Sequence, residues 1–228
     1  MAYRAPVDDI AFILDAVVPL APVAATDRFA EASEDTVTAI LTEAGRLSTE
    51  VLAPLNRGSD LTPSRLENGA VRSSPGFDAG FRAIAEGGWV GLSANPEHGG
   101  AGLPQTLNVA VGEMLAGACL SLQLNPLLTQ GQIEALEHHA SDELKATYLP
   151  KLISGDWNGT MNLTEPGAGS DVGALTTRAE RAEDGTYRVT GQKIFITWGD
   201  SDVTENTCHL VLARLPDGPI HHLNGAAA

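Results

Sequence analysis

Apolar residues recur at every third or fourth position up to about Gly155 and at every second position beyond it. A chain with that switch builds helices first and strands second, because the two periods line up side chains on one helical face or on one sheet face. In the helical part, residues 5–18 carry Ile10, Ile13, Leu14, Val17 and Val18 on one side, and Pro19 and Pro22 stop the run. Ser33 reads as an N-cap, with Glu34 and Asp35 in the first turn, for a helix through Val37, Leu41, Ala44, Leu47 and Leu52 that Pro54 closes. Residues 56–74 are rich in Gly, Ser, Pro and Asn and read as a surface loop. Ser74-Pro75 opens the next helix, with Phe77, Phe81 and Ile84 on its buried side and Gly87-Gly88 at its end. A glycine-rich loop over 89–103 leads to a helix opened by Pro104. Residues 120–128 are nearly all apolar or small and read as central in a bundle, and Thr129 and Ser141 read as N-caps of two further short helices.

Beyond Gly155, residues 157–164, 176–183, 186–190, 192–197 and 208–215 read as short strands with turn residues between them. That spacing suggests a small antiparallel barrel or sandwich. Asp184-Gly185 between two β-prone runs is a hairpin signal. Within this part, Met161 to Asp171 enters as a half-apolar strand, breaks at Pro166, crosses Gly167 and Gly169 and ends in Ser170 and Asp171. Two readings stand side by side. One is a ligand loop, in which the glycines allow φ > 0 and let a ligand approach bare backbone N–H groups, with Thr164 and Ser170 adding hydroxyls. The other is an ordinary Pro-Gly turn. The spacing Gly167, Gly169, Gly173 is not a dinucleotide fingerprint, because strand-like residues follow where a helix must open. In 192–197, Ile194 and Ile196 share one face and Lys193, Phe195 and Thr197 the other. Phe195 and Thr197 either present an aromatic plane and a hydroxyl to a flat ligand or belong to a half-buried edge strand.

With 29 acidic against 14 basic residues and a formal charge of −15, no basic stripe is available for nucleic acid. Cys119 and Cys208 are far apart and without motif, and read as small buried hydrophobes. Glu134 and His138 sit at i,i+4, but no third ligand is spaced to join them, so no metal is expected. No apolar run approaches the ~18 residues of a membrane span. Asp8 and Asp9 near the start do not fit a secretory signal, and a cytoplasmic protein is expected.

The run Leu163-Thr164-Glu165-Pro166-Gly167-Ala168-Gly169-Ser170-Asp171, followed by Gly191-Gln192-Lys193-Ile194-Phe195-Ile196-Thr197, resembles the FAD-binding middle domain of acyl-CoA dehydrogenases. Helices first and strands second also matches that family's layout, and residues 3–14 resemble the N-terminal extension of one of its subgroups. The resemblance implies an α+β fold: an N-terminal extension over 1–32, a helical domain over 33–156, a β middle domain over 157–217 and an aberrant tail over 218–228. It implies FAD as cofactor, an acyl-CoA thioester as substrate, oxidation to the trans-2-enoyl-CoA, electron-transfer flavoprotein as acceptor and homo-oligomeric relatives. Met161, Leu163 and Thr164 would line the flavin, Phe195 and Ile196 would pack on its rings, and the Thr197 hydroxyl would sit near N5. Ser170 would contact the CoA moiety. Members often carry Tyr where Met161 stands and Trp where Phe195 stands. The family's C-terminal helical domain, which holds the catalytic glutamate, has no counterpart before residue 228, so no catalytic base is assigned. The chain alone is therefore expected to be inactive and marginally soluble. The alternatives are a non-catalytic flavin-binding or subunit-pairing remnant, or a flavin-dependent oxygenase of the same fold.

Overall fold

One 35-residue helix forms the axis around which the other elements are arranged. The computed structural model of the chain describes residues 3–216. In order these form α1 (Val7–Phe12), α2 (Ala21–Ala24), α3 (Glu34–Arg46), α4 (Ala53–Leu61), β1 (Arg65–Glu67), β2 (Ala70–Arg72), α5 (Phe77–Glu86), α6 (Gln105–His139), α7 (Asp142–Ser154), β3 (Trp157–Asn162), β4 (Arg178–Arg181), β5 (Tyr187–Thr190) and β6 (Asn206–Val211). The tail expected over 218–228, with His221-His222, lies outside the described residues.

Both serine caps are in place: Ser33 Oγ accepts from Thr36 N–H at 3.2 Å and Ser141 Oγ from Leu144 N–H at 3.4 Å. Helices run further than the proline signals suggested. A widened π-helical turn over Leu47–Leu52 joins α3 to α4, so Pro54 does not close the helix but follows directly on that irregular turn, at the second residue of α4. The expected loop over 56–74 is instead the rest of α4 and a β hairpin turning at Asn68-Gly69, both with φ > 0 (51° and 82°). Thr129 is not an N-cap either. Its hydroxyl donates to the Asn125 carbonyl at 3.0 Å from inside α6, which continues past Pro126 and bends at Cys119 (φ −154°, ψ 85°).

Helices α3, α4, α5 and α7 pack on α6. Leu41, Leu52, Ile84, Leu107, Met114, Leu122, Leu149 and Leu152 are all buried in this core. By length and composition α6 is apolar enough to cross a membrane, which counting uninterrupted apolar runs did not reveal, yet 56% of its most apolar window is buried inside the protein.

Strand β3 begins two residues beyond Gly155, and β3 pairs with β6 in parallel, from Trp157↔Asn206 to Asn162↔Val211. The chain leaving β6 then pairs with the start of β4, through Ala179 N–H to the Arg214 carbonyl and Arg214 N–H to the Thr177 carbonyl, both 2.8 Å. Strands β4 and β5 form the antiparallel hairpin around Asp184-Gly185. Among the described residues this is an open arrangement with a parallel pair, and the small antiparallel barrel or sandwich expected is not formed. The parallel pair needs a long crossover, and residues 192–197, expected as a strand, are irregular. Phe195 (φ 57°) and Trp198 (φ 55°) are left-handed there, which no strand accommodates.

Helix α6 meets β3 along a polar seam. Thr129 Oγ1 accepts from Gly159 N–H at 2.9 Å, and Gln132 Nε2 donates to Cys208 Sγ at 3.1 Å. The contact is close enough that a Cβ on Gly159 would lie 2.1 Å from Gln132 Oε1. Gly159→Ala is expected to destabilise the protein by about 1–3 kcal/mol through overpacking, measured by chemical denaturation, whereas an unshifted midpoint would show that the seam has slack.

Candidate functional site

Past β3 the chain makes a tight turn at Pro166-Gly167, closed by Glu165 N–H to the Ala168 carbonyl at 2.9 Å and Ala168 N–H to the Glu165 carbonyl at 3.1 Å. Neither Gly167 nor Gly169 takes a positive φ, so the expected conformational use of these glycines is not made. What they leave is room: a Cβ on Gly167 would meet nothing within 4 Å, and one on Gly169 only Thr164 Cγ2 at 4.0 Å.

The carboxylate of Glu165 points inward from this turn, and its side chain is 3% exposed. It accepts from Thr176 N–H (2.6 Å), Thr176 Oγ1 (2.8 Å), Thr177 N–H (2.9 Å) and Lys193 Nζ (2.9 Å). Burial by itself would raise the Glu165 pKa. The donors of Thr177 and Thr176 and the Lys193 ammonium together outweigh it and hold the group well below the usual carboxylate range. Lys193 also donates to the Leu163 carbonyl at 2.9 Å, and Ile194 N–H donates to the Thr164 carbonyl at 2.9 Å. Segments 163–165 and 193–194, far apart in sequence, are thus tied side by side.

Of the residues singled out from sequence, Met161 on β3 is half-buried against α6: a Cβ added to Gly131 would lie 3.5 Å from its Sδ. Leu163 and Thr164 are half-buried and are joined to the second segment through their carbonyls. Ser170 is exposed. Phe195 is 89% exposed. Ile196 is half-buried, and Thr197 faces a cavity of about 690 Å³ shared with Phe77, Trp198, Ser121 and Asp200. The first segment and the start of the second are therefore brought together, with Phe195 exposed and Thr197 at the second cavity just beyond that junction.

Sequence reasoning assigned Lys193 to the same face as Phe195 and Thr197 and missed its pairing with Glu165. A carboxylate beside a Pro-Gly turn and a lysine in an apolar run are each signals of a partner. It also gave no role to Trp198, which stacks on Phe77 (centroids 6.0 Å apart) and donates from Nε1 to the Ser121 carbonyl at 3.0 Å, near the bend of α6. Asp200 and Asp202 accept from Val71 N–H (3.2 Å) and Ser73 N–H (3.0 Å), fastening the β1–β2 hairpin to the segment after Thr197. A second cavity, of about 540 Å³, runs beside α6 and includes Asn108, Gln123, Gly131 and Glu134 in its walls.

Comparison with known proteins adds to this geometry. The family model "Acyl-CoA dehydrogenase, N-terminal domain" matches residues 59–156, and "Acyl-CoA dehydrogenase, middle domain" matches residues 160–225. The chain is 46% identical over 219 residues to 3-methylmercaptopropionyl-CoA dehydrogenase of Ruegeria pomeroyi, an alignment spanning 96% of this chain and 37% of that relative. Among solved structures, glutaryl-CoA dehydrogenase from Mycobacterium smegmatis aligns over 94% of this chain and 47% of its own, with a TM-score of 0.69 and 22% identity. An acyl-CoA dehydrogenase from Bacillus anthracis complexed with FAD aligns over 81% of this chain and 29% of its own, with a TM-score of 0.63 and 23% identity. At these identities the two structures establish the fold alone.

Replacing the buried carboxylate tests the lock between the two segments. Glu165→Gln leaves the Lys193 ammonium buried without its counter-charge, and a loss of about 3–5 kcal/mol is expected near neutral pH. The Glu165 pKa is depressed on folding, so its contribution is complete above the unfolded-state value of about 4.3 and fades as pH falls from there toward the folded-state value. Denaturation of wild type and variant between neutral and acid pH should therefore converge. A gap that stays constant across that range would refute the ion-pair assignment.

Proposed function

Because the chain belongs to the acyl-CoA dehydrogenase family, we propose that it forms the cofactor- and thioester-binding part of a flavoenzyme that oxidises an acyl-CoA to the trans-2-enoyl-CoA. The observation that carries this reading is the lock just described, which holds the turn after Thr164 against the segment leading to Phe195. Division into a helical domain over 33–156 and a β domain over 157–217 belongs to the same proposal. So do electron-transfer flavoprotein as acceptor, homo-oligomeric assembly and a cytoplasmic setting.

The residues present fit FAD. The outer face of the turn is open at Gly167 and Gly169, Met161, Leu163 and Thr164 are only half-buried, and Phe195 has no protein surface against it. FAD, when bound, supplies the acceptor for the hydride leaving the β-carbon. Met161 and Leu163 would offer apolar contact, and Thr164 its hydroxyl and nearby backbone to the pyrimidine edge. Phe195 and Ile196 would cover the ring system, and the Thr197 hydroxyl would tune the atom that receives the hydride. Ser170, exposed on the loop, would contact the CoA moiety.

The α-proton requires a base, and Glu165 is unsuited to that role. Its oxygens are already engaged by four donors, one of them an ammonium, and its depressed pKa makes it a poor proton acceptor. Glu165 therefore holds the site together, and proton abstraction falls to a carboxylate outside the loop.

Titration of the chain with FAD, followed by flavin fluorescence, tests the reading directly. Phe195→Ala and Thr164→Val are each expected to weaken binding by about tenfold, the equivalent of about 1.4 kcal/mol, with little change in melting temperature. A wild-type chain that binds no FAD, or variants that bind as well as wild type, would sink the assignment of these residues.

A further inference from the structure

Gly199 N–H donates to the Ile196 carbonyl at 3.2 Å, which closes a tight turn with Thr197 and Trp198 at its two central positions. Trp198 is left-handed there (φ 55°), and Thr197 is not. A turn of that shape is served without strain by glycine or asparagine in the third place, whereas a large aromatic residue is strained. The chain nevertheless puts tryptophan at 198 and glycine one position later. Such a conformation persists only where the surrounding structure over-determines it.

Here three elements do so. The indole stacks on Phe77 of α5, with ring centroids 6.0 Å apart and 27° between the planes. Its Nε1 donates to the Ser121 carbonyl at 3.0 Å, two residues past the bend of α6 at Cys119. The Trp198 carbonyl accepts from Asn158 Nδ2 of β3 at 3.3 Å. Asn158 is itself fully buried, and its Oδ1 accepts from Thr204 Oγ1 at 2.6 Å and from Thr207 Oγ1 at 3.0 Å. One residue is thus fixed from α5, α6 and β3, and Thr197 is the residue bonded to its nitrogen.

We infer that Trp198 is a positioning residue for Thr197: its indole holds the 196–199 turn in the conformation that presents the Thr197 hydroxyl to the flavin, and ties that hydroxyl to α5 and α6. This rests on the reading above, in which Thr197 tunes the flavin atom that receives the hydride. A hydroxyl held at one place favours one oxidation state of the flavin by a constant amount, and a loosened turn averages that preference away. Glycine at 198 adopts the left-handed conformation freely but also many others, so it removes the strain and the anchor together.

The test is the midpoint potential of FAD bound to the full chain, measured against a reference dye for wild type, Trp198→Gly, Thr197→Val and the double variant. Trp198→Gly and Thr197→Val are each expected to change the ratio of reduced to oxidised FAD affinity about tenfold in the same direction, about 30 mV for a two-electron couple. Because Trp198 acts through Thr197, the double variant is expected to shift no further than Thr197→Val alone. A lower melting temperature with an unchanged potential in Trp198→Gly, or additive shifts in the double variant, overturns the role of Trp198 and leaves the flavin reading standing. If FAD binds but Thr197→Val leaves the potential unchanged, the Thr197 and Trp198 roles both fall. If wild type binds no FAD, the flavin reading falls and this inference with it. Trp198→Phe, which keeps the ring on Phe77 and removes only the indole N–H, takes the place of the glycine variant should that one not fold, with the same outcomes.

Discussion

The Glu165 carboxylate and the Lys193 ammonium, 2.9 Å apart with side chains 3% and 9% exposed, leave water together on folding, and the geometry of the candidate site depends on that. Taking two charges out of water costs several kcal/mol per ion, and their attraction repays it only when the remaining lone pairs are also satisfied. Here they are: the threonine donors fill the carboxylate, and the ammonium has the Leu163 carbonyl as a second partner. A pair so arranged adds little net stability over an apolar pair of equal volume, but it penalises every other placement of the two segments. Its contribution is positional, because it sets which backbone atoms of 163–165 face which atoms of 193–194.

That ion pair also explains where the sequence was readable and where it was not. Strands β3, β4, β5 and β6 fall on the runs read as strands, although their burial does not alternate cleanly, and the β4–β5 turn falls at the Asp184-Gly185 signal. Residues 192–197 alternate in sequence, yet they form no strand. Lys193 is drawn inward to Glu165, and the backbone then reverses through left-handed Phe195 and Trp198. A period-two pattern reports which side chains share a face if the chain is extended. It carries nothing about a buried charge 28 positions away that decides whether extension is possible. The helical half failed differently, because prolines were read as stops. The widened turn at Leu47–Leu52 and the first-turn position of Pro54 let the helix continue, and Pro126 is carried inside α6. The Asn68-Gly69 hairpin was visible in principle but lay within a stretch whose composition read as loop.

Helix α6 links these parts because its sides meet different surroundings. One side offers leucines and Met114 to the bundle core, another offers Thr129 and Gln132 to β3, and a third lines the cavity with Val109, Leu120 and Leu127, all at least half-exposed. This mixture explains why no single amphipathic stripe was legible in residues 120–139. A helix buried on more than one side has apolar residues most of the way round, and its few polar residues mark contacts and not solvent. Thr129 looked like a cap because threonine is favoured at N-caps, whereas here its hydroxyl is spent on the Asn125 carbonyl and on Gly159 N–H.

The same helix makes the distance between site and cavity a fixed quantity. Gly159 has no side chain to hold β3 away from Gln132, so strand and helix approach until Gly159 N–H reaches Thr129, and Met161 is brought to the edge of Gly131 two residues later. The turn at Pro166-Gly167 follows from β3 without slack, since the reciprocal Glu165–Ala168 hydrogen bonds close it and the ion pair anchors it. The spacing between the turn and the cavity wall is thus set by one close backbone contact. Widening that contact by a single methyl group displaces the turn relative to the cavity wall, even though no residue of either would have been altered.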